Sequence, residues 1–288
     1  ISRMLGEDIL SKNYNIINHD AFKKDSLTLI GNTSTGIPVW LNDVWMSSDF
    51  RITTGFVEPH FFAGFSGGPK MVSPGLAGFD TIMQLHSAKL IASEKARWAI
   101  TKGNPIHDAI REIAAMSQVH FSVDVTINKY HKITSVYSGD LFAVHEAACA
   151  TAGRVATQPV SHFFDIVVTT NSGYPLDMNL YQAVKGMSAA SQIVRYGGHI
   201  ICVAECMEGI PEHGEYKSIL GSAKDPAALL AMITDTEYNR HDQWQVQIQA
   251  QIQQRAKVYL KSSHLTHTQI REAHLTPVEN LEDTIGHL

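Results

Sequence analysis

A strand, a helix and a second strand follow one another in the second half of the chain, and this order constrains the fold most. Residues 163–169 and 199–204 are short apolar runs typical of buried strands. Between them, residues 179–195 have the pattern of a helix, which Gly197-Gly198 is predicted to end. Such a β-α-β unit has parallel strands, and ligands bind where loops leave the carboxyl ends of those strands.

The first half of the chain mixes short predicted strands with helices, so we predict a mixed α/β fold of two domains. The strands are expected at 27–30, 39–41, 51–56, 121–127 and 133–138, and the helices at 77–90, 106–116 and 141–152. Residues 153–161 are the predicted boundary. They separate a cofactor-binding domain, 1–155, from a C-terminal α/β substrate domain, 160–288. We expect the active site in the cleft between the two domains.

A glutamine-rich segment, residues 243–254, is predicted to form an amphipathic helix. Trp244, Ile248 and Ile252 recur every four residues and mark its packed side. The glutamines are predicted to form its solvated face.

Composition narrows the possible partners and the compartment. The net charge of −5 without a basic cluster argues against nucleic acid. No apolar run approaches the roughly 20 residues that cross a bilayer, so no membrane role is expected. The three cysteines, Cys149, Cys202 and Cys206, form no C-x-x-C pair, which fits a reducing cytoplasm.

The stretch from residue 58 to residue 75 carries the chemistry. A predicted strand delivers the chain to His60, and the glycine-dense turn 64–68 then leads to Lys70. Glycines allow the backbone to approach a ligand closely and to point N–H groups at an anion. A lysine beside such a turn supplies a charge or an amine that forms a covalent bond. A helix carrying His86 follows, so the stretch is typical of a cofactor site.

The spacing of these residues resembles a known signature. His60 is followed by Lys70 ten residues later and by His86 sixteen residues further, within the phrase PHFFAGFSGGPK and its continuation. This pattern is similar to that of the lactate racemase family of nickel-pincer enzymes. The segment NLYQAVK, residues 179–185, resembles a second family segment, and the resemblance covers most of the chain.

The resemblance implies a tethered organometallic cofactor. Lys70 would be joined through a thioamide to a nickel-pincer nucleotide, the pyridinium-3-thioamide-5-thiocarboxylic acid mononucleotide. His86 would be the protein's ligand to Ni²⁺, whose square plane suits soft donors and one imidazole. The implied cofactor-binding residues are Lys70, Ser66, Gly67, Gly68 and Tyr181.

The same resemblance implies a racemase or epimerase of a small 2-hydroxy acid that depends on cofactor-synthesis proteins. The implied catalytic residues are His60, Lys70, Gln182 and Lys185. His60 would exchange the hydroxyl proton while hydride moves to and from the cofactor. Gln182 and Lys185, at i and i+3, would share a helix face and hold the carboxylate and the hydroxyl or keto oxygen. For Tyr181 and Trp244, core packing and a site role stay open.

The sequence also departs from the family pattern. In family members a second histidine, an aspartate and an arginine lie upstream of the first block, and this chain is expected to be a fragment that lacks them. His19 lies at the wrong distance to replace that histidine. A planar intermediate needs a base on each face, so we expect no appreciable racemisation from this chain alone.

Two other functions stay open. A metal-dependent hydrolase or lyase would bind its metal through His60, His86 and His107 without an organic cofactor. A non-catalytic module would hold a phosphorylated nucleotide at the glycine turn.

Overall fold

A computed structural model describes residues 6–12 and 14–288, and it confirms the mixed α/β fold. The strands are β1 Leu27–Asn32, β2 Pro38–Asn42, β3 Ile52–Phe56, β4 Pro59–His60, β5 Gly64–Phe65, β6 Phe121–Ile127, β7 Ile133–Gly139, β8 Phe164–Thr170, β9 Val194–Val203, β10 Lys257–Lys261 and β11 Thr276–Pro277. The α-helices are α1 Glu7–Leu10, α2 Asp43–Ser47, α3 Phe79–Leu85, α4 Ala88–Ile91, α5 Pro105–Met116, α6 Leu141–Ala156, α7 Leu180–Ser191, α8 Tyr216–Leu220, α9 Pro226–Ile233, α10 Gln243–Arg255, α11 His267–Glu272 and α12 Leu281–Gly286. Short 3₁₀ helices cover Lys24–Ser26 and Gly68–Met71.

The second half is built on a parallel sheet with the strand order β11-β10-β9-β8. Helix α7 connects β8 to the parallel strand β9, which confirms the predicted β-α-β unit. Asn179 caps α7, because its side-chain oxygen accepts a hydrogen bond from the Gln182 N–H. The cap begins the helix directly after the loop that leaves β8.

The glycine pair does not end the helix, contrary to the prediction. Helix α7 ends at Ser191, and β9 begins at Val194 and includes Gly197 and Gly198. The pairing with β8 shifts register here. A Cβ on Gly198 would lie 2.7 Å from the Asp165 carbonyl oxygen, so the glycine permits a close strand approach.

A three-stranded sheet in the first half has an unusual distribution of polarity. Strand β6 pairs parallel to β3 and antiparallel to β7. The buried face of this sheet is polar and consists of Thr53 from β3 and Ser122, Asp124 and Thr126 from β6. The opposite face exposes apolar residues that include Ile52, Phe56, Phe121 and Val136. The polar face contacts the turn that carries Lys70.

The predicted helix 77–90 is two short helices, α3 and α4, separated at His86 and Ser87. His86 is the C-cap of α3, and the Ile82 carbonyl oxygen accepts from both its backbone N–H and its Nδ1, at 3.0 and 2.7 Å. Ser87 is extended and starts α4. The break turns the His86 ring into the interior.

The glutamine-rich helix is also different from the prediction. The apolar side, Trp244, Ile248 and Ile252, is buried as expected. However, four glutamines in the first two turns of α10 are buried as well: Gln243, Gln245, Gln247 and Gln249 are at most 2% exposed. The amides of the last three donate to backbone carbonyls outside the helix, for example Gln247 to Ala88 at 2.9 Å, and the Gln243 amide oxygen accepts from the Arg240 N–H. Packing against neighbouring elements therefore buries the face of α10 that was predicted to be solvated, over residues 243–250.

Among the described residues, no helix is both long enough and apolar enough to span a bilayer.

Candidate active site

His60 and Lys70 are direct neighbours in the structure. The β4-β5 hairpin presents His60, whose Nε2 lies 3.2 Å from Lys70 Nζ. On the other side of the ring, Nδ1 accepts hydrogen bonds from the backbone N–H groups of Phe62 and Ala63, at 3.4 and 3.2 Å. Lys70 reaches the histidine from the 3₁₀ helix Gly68–Met71.

This hydrogen-bond pattern indicates which nitrogen of His60 carries the proton. A neutral imidazole carries one N–H, and because Nδ1 accepts, the proton is on Nε2. Nε2–H then faces Lys70 Nζ and donates to it when the lysine is the neutral amine. Burial and the charge of Lys185 lower the pKa of Lys70 to about 8. Burial and the lysine charges hold the pKa of His60 well below its usual range.

Residues 66–70, which include the end of the glycine-dense turn and are called the glycine turn from here on, pack tightly against other parts of the protein. The Ser66 N–H donates to the Glu58 carbonyl at 2.9 Å, and the Gly68 N–H donates to Asp124 Oδ1 at 3.3 Å. Gly67 has φ +70°, and a Cβ there would lie 2.8 Å from the Phe56 carbonyl oxygen. Protein packing therefore accounts for this glycine, and a phosphate at Ser66 or Gly68 would compete with existing bonds. Cofactor binding by these three residues stays a prediction.

His86 lies on the same side of the molecule as Lys70 but is held separately. It is only 7% exposed, and its ring lies between Phe62 and Trp244, at centroid distances of 5.2 and 4.7 Å. Burial, followed by the charge of Lys70, lowers its pKa to about 4, so the imidazole is neutral. Because Nδ1 bonds to the Ile82 carbonyl, Nε2 is the nitrogen that is left for a metal.

The second half contributes Lys185 from helix α7. Its Nζ lies 5.8 Å from the centre of the Phe61 ring, beside His60 in sequence. Burial lowers its pKa, and the charge of Glu58 opposes that shift. Gln182 lies one turn earlier on the same helix and is half-buried. The structure thus brings Lys185 toward the residues around His60, and its role stays a prediction.

Tyr181 and Trp244 are linked to each other beside His86. Trp244 Nε1 donates to the Tyr181 hydroxyl at 3.0 Å, and Tyr181 also packs edge-on against Tyr216. The pair forms an aromatic wall that continues through His86 to Phe62. The packing role is therefore observed, and a direct site role for either residue stays a prediction.

The three-histidine metal site is not assembled. His107 stacks against His145 at 5.8 Å, and the prediction grouped it with His60 and His86. Across residues 6–12 and 14–288, no three His, Cys, Asp or Glu side chains are placed to share a metal ion. His19 bonds through both ring nitrogens to Ala77 and Asn42, in agreement with its rejection as a base.

Sequence reasoning missed the residues that support the site from behind. Asn104 Nδ2 donates to the Phe62 carbonyl at 2.8 Å, and Asp124 and His145 both bond to the glycine turn. A carboxylate within the strand pattern FSVDVTI is the signal that was available for Asp124. For His145 the available signal was its place shortly after Gly139-Asp140, a stretch that weakly resembles the family sequence.

Comparison with known families gives two matches in this chain. The lactate racemase N-terminal domain matches residues 1–99, and the lactate racemase C-terminal domain matches residues 160–287. Lactate racemases from Thermoanaerobacterium thermosaccharolyticum and Lactiplantibacillus plantarum are 34% and 36% identical to the chain over 282 residues. These residues are 97% of this chain, which spans 66% of the length of each relative.

Solved structures agree with these matches. The lactate racemase apoprotein from T. thermosaccharolyticum superimposes with a TM-score of 0.94 at 32% identity, over 99% of this chain and 68% of that one. A Thermotoga maritima protein shares the fold with a TM-score of 0.70 at 16% identity, over 96% of this chain and 77% of that one.

Proposed function

The chain belongs to the lactate racemase family, and from this premise we propose that the whole protein interconverts the configurations of a 2-hydroxy acid. Lactate is the default substrate, and a related acid is the alternative. We propose a nickel-pincer nucleotide tethered to Lys70 as its cofactor, supplied by cofactor-synthesis proteins. The three cysteines are unpaired and buried, which supports the reducing cytoplasm as its compartment.

Lys70 and His86 fit such a group, whereas the N–H groups of Ser66 and Gly68 are already bonded within the protein. One observation carries the proposal. Lys70 is buried against His60 Nε2 with its pKa lowered to about 8, so more of it is the neutral amine, the nucleophilic form, than in an exposed lysine. His86 offers one neutral imidazole nitrogen, and the remaining donors would come from the cofactor. When bound, the cofactor would supply the hydride acceptor.

The protein residues would then handle the substrate and its proton. Attachment of Lys70 withdraws the lone pair that accepts from His60 Nε2–H, which frees this N–H to donate to a substrate oxygen. To take the hydroxyl proton as a base, His60 would need the other tautomer, with its proton on Nδ1. Lys185 would hold the carboxylate by charge, with Gln182 bonding to the neighbouring oxygen. Phe61, Phe62 and Trp244 would limit the access of water to these groups.

Intact-mass spectrometry of the protein coexpressed with cofactor-synthesis proteins tests the proposal. We expect an added mass on the wild type that Lys70→Ala removes, together with racemisation of the accepted 2-hydroxy acid. Lys185→Ala is the matched control, because we expect it to keep the added mass and to lose affinity for the acid. An adduct that survives Lys70→Ala would refute the anchor. An adduct without turnover of any 2-hydroxy acid would favour the non-catalytic module.

A further inference from the structure

Asp124 is a buried carboxylate that the proposed reaction does not use. It lies on the polar face of β6 with no exposed surface, and its Oδ1 accepts from the Gly68 N–H at 3.3 Å. Its Oδ2 has no hydrogen-bond partner among the described residues. Burying a carboxylate with one oxygen unpaired is unfavourable, so a stability role does not explain the residue.

His145 holds the same turn from helix α6. It is 1% exposed, and its Nε2–H donates to the Ser66 carbonyl at 2.9 Å. Its ring lies directly against Gly68, where a Cβ would approach the ring carbons to 2.4 Å. Asp124 and His145 also lie near enough for the charge of each to affect the pKa of the other.

The two residues fix the turn on both sides of Gly67. The Ser66 carbonyl is bound by His145, the Gly68 N–H is bound by Asp124, and Lys70 follows two residues later. Both residues belong to regular elements, β6 and α6, so they provide a rigid support. The position of the Lys70 amine against His60 depends on this short segment.

We infer that Asp124 and His145 are positioning residues that clamp the glycine turn and thereby place the Lys70 amine for its chemistry. This inference rests on the proposed function of Lys70 as the anchor. It differs from a structural role in its consequence: loss of the carboxylate should leave global stability nearly unchanged or raised, and should impair only the chemistry at Lys70.

The test uses paired substitutions in the full protein made with its cofactor-synthesis proteins. Asp124→Ala and His145→Ala remove the bonds, whereas Asp124→Asn and His145→Gln keep an oxygen acceptor and an N–H donor respectively. His274→Ala is the matched control, because His274 Nε2 bonds to the Leu220 carbonyl at the same 2.9 Å, remote from the turn. The readouts are amide hydrogen exchange of residues 66–71, the fraction of protein carrying the Lys70 adduct, and kcat and KM.

We expect both alanine variants to raise exchange at residues 66–71 by about tenfold, the effect of losing one buried hydrogen bond. The adduct fraction and kcat should fall in parallel, KM should stay near the wild-type value, and the conservative variants should restore all three. His274→Ala should leave exchange at the turn unchanged. Unchanged exchange in the alanine variants, or raised exchange with full adduct and kcat, would overturn the inference.

A wild type without any adduct would instead refute the proposed function. In that case the nitrogen chemical shift of His60 Nε2, which reports its bond to Lys70, decides the inference independently. A shift that changes in the alanine variants and returns in the conservative ones supports the clamp, and a constant shift overturns it.

Discussion

At the scale of single residues, the site depends on the donor and acceptor roles of two side chains. The backbone N–H groups of Phe62 and Ala63 point at His60 Nδ1, and this places the proton on Nε2, which faces Lys70 Nζ. The sequence predicted that His60 and Lys70 belong to one site. It gave no indication that they bond to each other.

Lys70 should react with amine reagents at an unusually low pH. Only the neutral amine is acylated, and with a pKa of about 8 its neutral fraction rises through that pH. Peptide mass spectrometry of acylated protein prepared without cofactor, over a series of pH values, gives the midpoint. The exposed Lys89 in the same samples is the reference, and equal midpoints for the two lysines would contradict the neutral-amine arrangement.

His86 and His60 should differ in what their loss removes. Because His86 Nε2 is the proposed nickel ligand, His86→Ala should lose nickel and keep the adduct on Lys70. His60→Ala should keep both and lose turnover by roughly 10²–10⁴-fold, the usual contribution of a general base. Metal analysis, intact mass and racemisation rates measure the three effects. Equal loss of nickel in both variants would show that the roles are assigned wrongly.

At the scale of elements, the glycine turn packs against β3, β6 and α6. Gly67 adopts φ +70° directly against the chain at Phe56, and Gly68 lies against the ring of His145. The sequence predicted a turn here, and it attributed the glycines to an anion. In the structure, neighbouring protein atoms occupy the space that a side chain at Gly67 or Gly68 would need.

Gly67→Ala should therefore disrupt the turn. Its Cβ would lie 2.8 Å from a backbone oxygen that cannot move freely. The backbone strain of φ +70° with ψ −168°, a region adopted essentially by glycine alone, adds about 1–3 kcal/mol. We expect a lower melting temperature and loss of the Lys70 adduct. Gly36→Ala is the control, because φ there is +87° and no atom lies within 4 Å of the added carbon. It should show the strain alone, with the adduct intact.

At the scale of the whole molecule, the two halves share buried polar contacts. Trp98 Nε1 donates to Ser188 Oγ at 3.0 Å, and Gln247 reaches the Ala88 carbonyl. Several buried histidines of the first half also remain neutral in the folded protein. The pKa of both His107 and His145 is lowered to about 4, mainly by burial.

The protein should lose stability as the pH falls from about 6.5 toward 4. In this range an unfolded imidazole binds a proton that the folded His107 and His145 exclude, so the unfolded state gains protons and stability rises with pH. At pH about 5, each histidine should lower the free energy of unfolding by about 1–2 kcal/mol relative to neutral pH. The raised pKa values of Asp124 and Glu58 act in the opposite direction.

Urea unfolding at pH about 7.5 and about 5 measures this dependence. His107→Gln should reduce the difference between the two pH values, because the replacement does not titrate. A midpoint that is independent of pH would contradict the neutral buried histidines.

The sequence by itself determined the mixed α/β fold, the parallel β-α-β unit and the grouping of His60, Lys70 and His86. The fold class and the β-α-β unit follow from local hydrophobic patterns. The grouping follows from spacing within one short segment, because residues close together in the chain cannot lie far apart in the fold. Only the tertiary structure decided the break of the helix at His86, the burial of the α10 glutamines, and the bonds of Asp124 and His145 to the glycine turn. The bonds of Asp124 and His145 join residues 56 and 79 positions apart in sequence. No local pattern reports such contacts, because packing and hydrogen-bond satisfaction across the chain select them.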